Sequence, residues 1–277
     1  MTQIDAEDYA TFTRYLQDCC GLVLGDNRQY LVASRLARLA SESGFGSVGE
    51  LVRSLRARPG GPLAMRVIDA MTTNETSWFR DVFPFDVFRD VILPDLWSRG
   101  RKMPRVWTAA CSSGQEPYSL AMVTAEWERK TGQRTGLSIL GTDLSERILE
   151  EADKATYDGL AMVRGLSDER RRQFFDAVDS GHRIKPDLRR RVRFQKLNLL
   201  DNLSSLGRFD VIFCRNVLIY FAPETKTKVL ESIAQRLEPD GYFFVGASES
   251  VTPYTDLFRL QRTPAGAVLR LSSFKDG

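Results

Sequence analysis

The chain has 277 residues, of which 43% are hydrophobic and 27% are charged, and its net charge is +3. This composition is typical of a soluble globular protein with one large or two modest domains. The small net charge gives no support for nucleic-acid binding. One histidine and four cysteines without a C-x-x-C pair argue against a metal site and a histidine general base, and they predict reduced thiols.

Two further features of the chain bear on its location. No uninterrupted apolar run approaches the roughly 20 residues that a membrane-spanning helix needs. The first eight residues are acidic and do not resemble a secretion signal. The sequence therefore predicts a cytoplasmic protein without membrane insertion.

The first 75 residues predict an all-helical domain, because their apolar residues recur at helical spacing. Tyr9, Phe12, Tyr15 and Leu16 mark the first helix. Further helices are predicted at 28–43, 47–56 and 63–71, with a proline- and glycine-rich breaker at 59–62.

The helix at 28–43 is amphipathic and carries a basic face. One side is apolar and is predicted to consist of Tyr30, Val32, Ala33, Leu36, Ala37, Leu39 and Ala40. Arg28, Arg35 and Arg38 share the other side. This face indicates an acidic partner, and the alternative is an ordinary solvated surface.

A polar segment that ends in aromatic residues, 72–81, follows the helical domain. Such a density of polar and aromatic residues outside a periodic element favours a binding segment. The alternative is a plain domain linker that caps the helix predicted at 83–96.

The run Arg105–Ala121 predicts a strand, a tight turn and a helix, the opening unit of a nucleotide-type α/β site. It lacks G-x-G-x-x-G and the Gly-Lys-Ser/Thr of a phosphate loop. Glu116 stands where a pyrophosphate would need room and no negative charge, so a cationic, phosphate-free ligand fits better. The alternative is an ordinary turn with a surface glutamate.

A second predicted strand, 137–143, ends in Asp143, the position at which doubly wound folds hold ribose hydroxyls. The alternative, which is compatible with the first reading, makes Asp143 the N-cap of the helix from Glu146. The remaining elements alternate and predict an α/β sandwich with a mixed sheet. They are helices at 145–156, 168–175 and 223–237, strands at 192–198, 209–216 and 242–246, and a closing pair at 258–262 and 266–271.

A basic segment at 180–194 alternates weakly and predicts a small hairpin that leads into a strand. Its arginines include Arg189, Arg190 and Arg191, which are predicted to face solvent or an acidic partner. The alternative for the whole run is a solvated surface.

Six motifs, taken together, resemble the CheR-type chemotaxis receptor methyltransferases over nearly the whole chain. The motifs lie at 74–80 (Asn-Glu-Thr-x-x-Phe-Arg), 110–119, 141–145, 198–199, 214–221 and 246–250 (Gly-Ala-Ser-Glu-Ser). The resemblance implies a small all-helical N-terminal domain at 1–72 and a linker at 73–90 that contributes to the cofactor site. It also implies a doubly wound methyltransferase domain at 91–277, with a closing antiparallel hairpin and a small inserted β-subdomain at about 178–193.

The resemblance further implies S-adenosylmethionine as methyl donor, S-adenosylhomocysteine as product and glutamate side chains of chemoreceptors as acceptors. The partner would be the cytoplasmic helical bundle of a receptor, with no nucleic acid and no metal, and the enzyme would be a monomer. The residues matched to the cofactor site are Asn74, Thr76, Arg80, Glu116, Asp143, Asn198, Leu199, Arg215 and Asn216. Arg80 and Tyr220 would lie nearest the reacting groups, while Arg28, Arg35 and Arg38 would recognise the receptor.

The chemistry agrees with this resemblance. A glutamate acceptor is already ionised at pH 7, its reference pKa being about 4.3, so no general base is needed. Two other classes stay open: a nucleic-acid methyltransferase, which usually has Asn/Asp-Pro-Pro-aromatic where this chain has Arg215–Leu218, and a non-catalytic cofactor-binding scaffold. The short segment 180–187, interrupted by Pro186, predicts that no receptor tether peptide is bound.

Overall fold

The computed structural model describes residues 4–57 and 60–274. These residues form two units. The first, helical unit contains the described residues up to Thr73 together with Tyr220–Thr225, and the second contains those from Asn74 to Ile219 and from Lys226 onward. Part of the predicted acidic N-terminus (Met1–Gln3) and Pro59 of the predicted breaker lie outside the described residues.

The helical unit contains the four predicted helices. They are α1 (Ala6–Cys20), α2 (Gln29–Glu42), α3 (Val48–Ala57) and α4 (Pro62–Met71). The Asp5 side chain caps α1 by accepting the Asp8 N–H, and the left-handed Gly21 ends the helix. Leu22 forms an isolated antiparallel bridge with Phe221, so the segment 220–225 belongs to this unit.

The apolar side of α2 supplies part of the core, and Val32 and Leu36 have no exposed surface. Tyr30 was predicted on the same side of the helix, but 75% of its surface is exposed. It lies in the first turn at the edge of the apolar stripe. Helical spacing alone does not show whether another element covers such a position.

The second unit opens with helical turns and then alternates strands with helices. The helical part is α5 (Phe83–Val87), a π-helical turn (Phe88–Ile92) and α6 (Leu93–Ser98), where the sequence predicted one continuous helix. The strands are β1 (Arg105–Ala109), β2 (Ser138–Asp143), β3 (Thr156–Tyr157), β4 (Phe175–Val178), β5 (Gly181–Ile184), β6 (Val192–Lys196), β7 (Phe209–Cys214), β8 (Leu237–Phe244), β9 (Phe258–Thr263) and β10 (Gly266–Leu271). The helices between them are α7 (Gln115–Thr131), α8 (Glu146–Lys154), α9 (Asp168–Phe174), α10 (Pro186–Arg189) and α11 (Pro223–Arg236).

Seven strands form the main sheet in the order β6-β2-β1-β7-β8-β10-β9. The first five are parallel, and β10 and β9 close the sheet as an antiparallel hairpin. This confirms the predicted doubly wound fold. All six residues of β7 are buried, as a central parallel strand requires. The order reverses between β1 and β7, and ligands of such folds bind at the carboxyl ends of the strands beside that point.

A second sheet has the order β3-β5-β4 and is entirely antiparallel. The inserted β-subdomain was predicted at about 178–193, but its strands lie between Thr156 and Ile184. Val192–Lys196 pairs with β2 in the main sheet, which confirms the strand predicted at 192–198. Pro186 lies at the first turn of α10, where proline is favoured, and it interrupts no strand.

Among the described residues, we find no helix that combines the length and the apolar character needed to cross a membrane.

Candidate active site

Four parallel strands of the second unit end at the same edge of the sheet. Ala109 at the end of β1 pairs with Thr142 of β2 and with Cys214 of β7. The main-chain oxygen of Asp143 accepts the N–H of Leu197, just beyond β6, at 2.9 Å. The motifs that follow these strands are therefore neighbours in space although they are far apart in sequence.

The turn after β1 has an unusual backbone. Ala110 and Ser112 have φ values of 56° and 51°, and Gly114 has 91°. A Cβ atom at Gly114 would lie 3.0 Å from the Ala152 Cβ and 3.1 Å from the Tyr157 hydroxyl. Glycine is needed here for both its φ and its lack of a side chain, so the turn stays tight and α7 can begin at Gln115.

Asp143 connects this turn to the end of β2. Its carboxylate is buried, and it accepts the Ser112 N–H at 2.9 Å and the Ser145 N–H at 3.1 Å. The Ser112 hydroxyl in turn donates to the Asn74 carbonyl at 2.9 Å, which brings Asn74 to the same edge. The alternative that Asp143 caps α8 is wrong, because Ser145 is the N-cap and accepts the Ile148 N–H.

Arg215, just after β7, is the buried centre of an ionic network. Only 1% of its side chain is exposed, and its guanidinium contacts the Glu116 and Asp81 carboxylates, each at 2.7 Å. It also donates to the Arg80 carbonyl at 2.8 Å. Burial raises the pKa of Glu116 above its usual value, while the Arg215 charge opposes that rise. Glu116 is therefore not an ordinary surface glutamate.

The Arg215 Nε atom is buried and has no hydrogen-bond partner among the described residues. A buried guanidinium N–H without a partner is costly, and a carboxylate ligand would satisfy it. The same edge carries the Glu116 and Asp143 carboxylates. An orphaned cationic donor beside two acids fits a ligand that has a carboxylate, a positive centre and ribose hydroxyls, and it does not resemble a phosphate site.

Asn216 continues the same segment in a left-handed conformation, with φ of 59°. The Glu249 carboxylate holds this turn by accepting the N–H groups of Asn216 and Gly246, both at 2.7 Å, and of Ile219 at 3.2 Å. Glu249 thus ties the end of β7 to the loop after β8.

The segment 74–82, called here the linker segment, lies against these strand ends. Phe79, Asp81 and Val82 have φ values of 48°, 67° and 55°. Arg80 is half-buried between them, and its guanidinium donates to the Glu75 carbonyl at 3.3 Å. Thr76 is half-buried in the same segment.

Two cofactor residues predicted after β6 occupy the neighbouring strand end. Asn198 accepts the Leu200 N–H through its side chain at 3.1 Å, and Leu199 is 8% exposed. Tyr220 is placed in the helical unit, where its carbonyl accepts the Val23 N–H at 2.9 Å. Its nearness to the reacting groups stays a prediction.

The three arginines of the predicted basic face are not equivalent. Arg28 is exposed, and Arg38 is 90% exposed and pairs with Glu42 at 2.6 Å. Arg35 is half-buried, and its guanidinium donates to the carbonyl of Met71, the last residue of α4, at 2.6 Å. Since its guanidinium satisfies carbonyls at a helix end, Arg35 has a structural contact inside the helical unit that the spacing pattern did not reveal.

A similar correction concerns Arg191. It was predicted to face solvent or an acidic partner. Instead, its guanidinium forms a bidentate salt bridge with Glu128, with N–O distances of 3.1 and 2.7 Å. Arg190 is exposed and pairs with Asp187 on the surface. Two arginines of this basic segment are therefore paired with acids of the second unit itself.

Three residues of the site were not singled out in the sequence, namely Asp81, Ser112 and Glu249. Each lies inside or directly beside a quoted motif, which was the available signal. Their partners, Arg215, Asp143 and the Asn216 N–H, come from other strand ends. Sequence spacing cannot show such pairings.

The doubly wound sheet, the tight turn after β1 and the acid at the end of β2 fit the class of S-adenosylmethionine-dependent methyltransferases, to which the family match assigns the chain. The family description "CheR methyltransferase, SAM binding domain" matches residues 74–267, and "CheR methyltransferase, all-alpha domain" matches residues 7–72. The chain belongs to the CheR methyltransferase family.

Relatives of known name agree with this assignment. The chain is 47% identical over 270 residues to the chemotaxis protein methyltransferase of Vibrio parahaemolyticus, which covers 97% of this chain and 98% of that relative. It is 48% identical over 267 residues to chemotaxis protein methyltransferase 1 of Pseudomonas aeruginosa, covering 95% and 97%. A chemotaxis protein methyltransferase of Listeria monocytogenes is 35% identical over 245 residues, covering 88% and 90%.

Proposed function

We propose that this enzyme methylates glutamate side-chain carboxylates of chemoreceptors in sensory adaptation, giving glutamate methyl esters and S-adenosylhomocysteine. The observation that carries the proposal is the Glu116–Arg215–Asp81 network, with its buried arginine, beside Asp143. Its orphaned guanidinium N–H and its acids suit S-adenosylmethionine, and the names of the relatives, chemotaxis protein methyltransferases, support a chemotaxis protein as substrate.

The second unit would hold the cofactor at the strand ends. When bound, S-adenosylmethionine supplies an electrophilic methyl group on a positively charged sulfur. Asp143 would accept hydrogen bonds from the ribose hydroxyls, and Arg215 would bind the carboxylate through its buried Nε. Further residues that would line the site are Asn74, Thr76, Arg80, Glu116, Asn198, Leu199 and Asn216.

The acceptor carboxylate is ionised at neutral pH, so no residue has to remove a proton. The task of the chain is then to align the acceptor and to exclude water from the reacting charges. Arg80 would hold a carboxylate through its planar guanidinium. Tyr220 would donate a hydrogen bond or pack against the positive sulfur.

The receptor would be recognised through the helical unit. Arg28 and Arg38 on α2 remain available to acidic neighbours of the acceptor glutamates on a receptor's cytoplasmic helical bundle. The enzyme would act in the cytoplasm as a monomer, without nucleic acid.

The direct test is methyl transfer from labelled S-adenosylmethionine to receptor-rich membranes. We expect Arg80→Ala to reduce turnover at least tenfold, because alignment of the reacting groups is lost. Tyr220→Phe should reduce turnover with little change in cofactor affinity measured by calorimetry. The exposed Arg134→Ala is the matched control for loss of a positive charge and should behave as wild type.

The outcomes separate the possible roles. Turnover at the wild-type level in both variants would remove Arg80 and Tyr220 from the transfer site. An Arg80→Ala effect confined to cofactor affinity would make Arg80 a cofactor-binding residue only. Label that enters nucleic acid instead of receptor would refute the proposed substrate, and cofactor binding without any transfer would indicate a scaffold.

A further inference from the structure

The linker segment 74–82 adopts a backbone that its residue types do not favour. Phe79, Asp81 and Val82 all have positive φ, and none of them is glycine. Val82 is also β-branched, which makes this conformation rarer still. Such a conformation persists only when surrounding contacts determine it, and it is common where a protein presents functional groups.

The contacts on one side come from the inserted subdomain, defined here as residues 156–189, which contains β3 to β5, α9 and α10. Trp78 is 1% exposed, and its ring packs edge-on against Tyr157 and Phe175, with centroids 4.9 and 5.4 Å away. Its main-chain N–H donates to the Arg164 carbonyl, and its indole N–H donates to the Ala161 carbonyl. The inserted subdomain therefore fixes Trp78 by both its ring and its backbone.

Arg170 on α9 acts on the next residue. Its guanidinium carbon lies 3.8 Å from the centroid of the Phe79 ring. The same guanidinium donates two hydrogen bonds to the Glu126 carboxylate on α7, at 2.7 and 3.0 Å. The Phe79 N–H also donates to the Ser119 hydroxyl on α7 at 3.2 Å, so the cation and the helix hold Phe79 together.

On its other side the linker segment contacts the site. Arg215 binds the Arg80 carbonyl and the Asp81 carboxylate. Arg80 thus lies between Phe79, which the inserted subdomain fixes, and Asp81, which the buried Arg215 fixes. Removing either anchor would free a backbone that its own residues do not favour.

We propose that Arg170 is a positioning residue, which clamps the Phe79 ring against α7 and so keeps Arg80 in place for methyl transfer. The inference rests on the proposed role of Arg80. It gives the inserted subdomain a task within the transfer reaction, since it supplies Arg170 and the pocket for Trp78. A guanidinium is suited to this task, because it stacks on the ring face while its planar fork binds the carboxylate.

The test compares Arg170→Ala with Arg171→Ala. Arg171 is the next residue of α9, and it pairs on the surface with Asp168, so the control removes the same charge from the same helix. We expect Arg170→Ala to lower kcat about tenfold while KM for receptor stays within about twofold, because alignment and not binding is lost. Arg170→Lys should recover part of kcat, since it restores the cation over the ring without the fork.

A second measurement follows the linker segment directly. The Val82 N–H bonds to the Phe79 carbonyl, and the Phe83 N–H bonds to the Asp81 carbonyl. Hydrogen exchange of these amides should accelerate at least tenfold in Arg170→Ala and stay at the wild-type rate in Arg171→Ala. If Arg170→Ala does not fold, Phe79→Leu keeps an apolar side chain, removes the ring face and should give the same two changes.

Normal kcat in a folded Arg170→Ala enzyme, or unchanged exchange of the two amides, would overturn the proposal. So would equal effects of Arg170→Ala and Arg171→Ala. Failure of the proposed function is recognised separately, by the absence of methyl transfer from labelled S-adenosylmethionine to receptor-rich membranes in the wild-type enzyme, and loss of the Arg80 role by wild-type turnover in Arg80→Ala. The hydrogen-exchange experiment needs neither receptor nor cofactor. It therefore tests whether Arg170 stabilises the linker segment, whatever the outcome of the methyl-transfer assay.

Discussion

At the scale of single residues, Asp143 has two tasks. It accepts two buried main-chain N–H groups, which shapes the turn after β1, and it is proposed to accept the ribose hydroxyls. Loss of a hydrogen bond to a charged group typically costs about 1.5–3 kcal/mol. We therefore expect Asp143→Ala to weaken S-adenosylmethionine binding by roughly 10- to 100-fold in calorimetry.

The matched control for this change is Asp153→Ala, which removes an exposed aspartate from α8. Asp143→Ala should also lower the free energy of unfolding by about 1–3 kcal/mol, because the Ser112 and Ser145 N–H groups lose their acceptor. Unchanged cofactor affinity together with lowered stability would leave Asp143 with the structural task alone.

The residues of the site were predictable where they follow a strand. Asp143, Glu116 and Arg215 each follow a recognisable apolar run, and parallel strands bring their carboxyl ends to one edge. Asp81 and Glu249 have no such signal, because their partners Arg215 and Asn216 lie 134 and 33 residues away in the sequence. The orphaned Arg215 Nε has no sequence signal either, since it depends on three contacts made by one side chain.

At the scale of elements, the basic face of α2 is smaller than its spacing predicts, because Arg35 is bonded to the Met71 carbonyl. Charge reversal of Arg28 and Arg38 is therefore the cleaner probe. At low salt, Arg28→Glu with Arg38→Glu should raise the KM for receptor roughly threefold to tenfold and leave cofactor affinity unchanged. Salt should raise the KM of the wild-type enzyme, because the Debye length falls from about 10 Å at 0.1 M to about 3 Å at 1 M. The double variant lacks these two positive charges, so its KM should depend less on salt.

A suitable control is Arg14→Glu, which makes the same charge change at an exposed position of α1. Arg35→Glu is a different experiment, because it would remove the donor from the end of α4 and should destabilise the helical unit. Normal methylation of receptor at low salt by the double variant would show that the face is only a solvated surface.

The small sheet sets a second expectation. Within the part of the chain that the structure describes, β4 pairs only with β5, so it is an edge strand. The predicted reason against tether binding, a proline within the hairpin, is wrong because Pro186 begins α10. What remains is length, since β4 has four residues and offers few N–H and C=O groups to a peptide.

We therefore expect no micromolar binding of an isolated receptor tether pentapeptide to the edge of β4. Titration calorimetry with C-terminal peptides of the organism's own receptors measures this directly, with a scrambled peptide as the control. A saturable heat from the native peptide and none from the scrambled one would show that a four-residue edge is sufficient.

The elements themselves were largely predictable, for physical reasons that differ between them. The apolar run of β7 and the periodic helices of the first unit carry strong patterns. The inserted subdomain was placed too far along the chain, because strands of two to four residues, such as Thr156–Tyr157, are too short to show alternation. The strand predicted at 192–198 is confirmed as β6, which lies at an edge of the main sheet and exposes part of its surface.

At the scale of the whole molecule, the two units are not simply consecutive in sequence. The division falls between Thr73 and Asn74, but Tyr220–Thr225 belongs to the helical unit as well. The family description for the helical domain ends at residue 72, and the one for the cofactor domain begins at 74. The segment Tyr220–Thr225 contacts the helical unit through the Leu22–Phe221 bridge. This pairing joins residues far apart in sequence, so no local pattern predicts it.

Buried thiols in both units predict how the whole molecule responds to alkali. Burial is the first cause that raises the pKa of Cys20 to about 11, and it raises those of Cys111 and Cys214 well above the ordinary value. An unfolded thiol has a pKa of about 8.5. The stabilising contribution of each buried thiol is therefore complete below about pH 8.5 and is lost as the pH rises toward the folded value.

Between about pH 8.5 and 10.5, the unfolded chain releases these protons while the folded chain keeps them. The free energy of unfolding should therefore fall by up to about 1.4 kcal/mol per pH unit for each thiol. Guanidinium unfolding followed by circular dichroism at several pH values measures the slope, and Cys214→Ala should reduce it by the share of one thiol. Equal unfolding midpoints at about pH 7.5 and pH 10 would contradict the prediction, since they would mean that the thiols ionise as readily in the folded protein as in the unfolded chain.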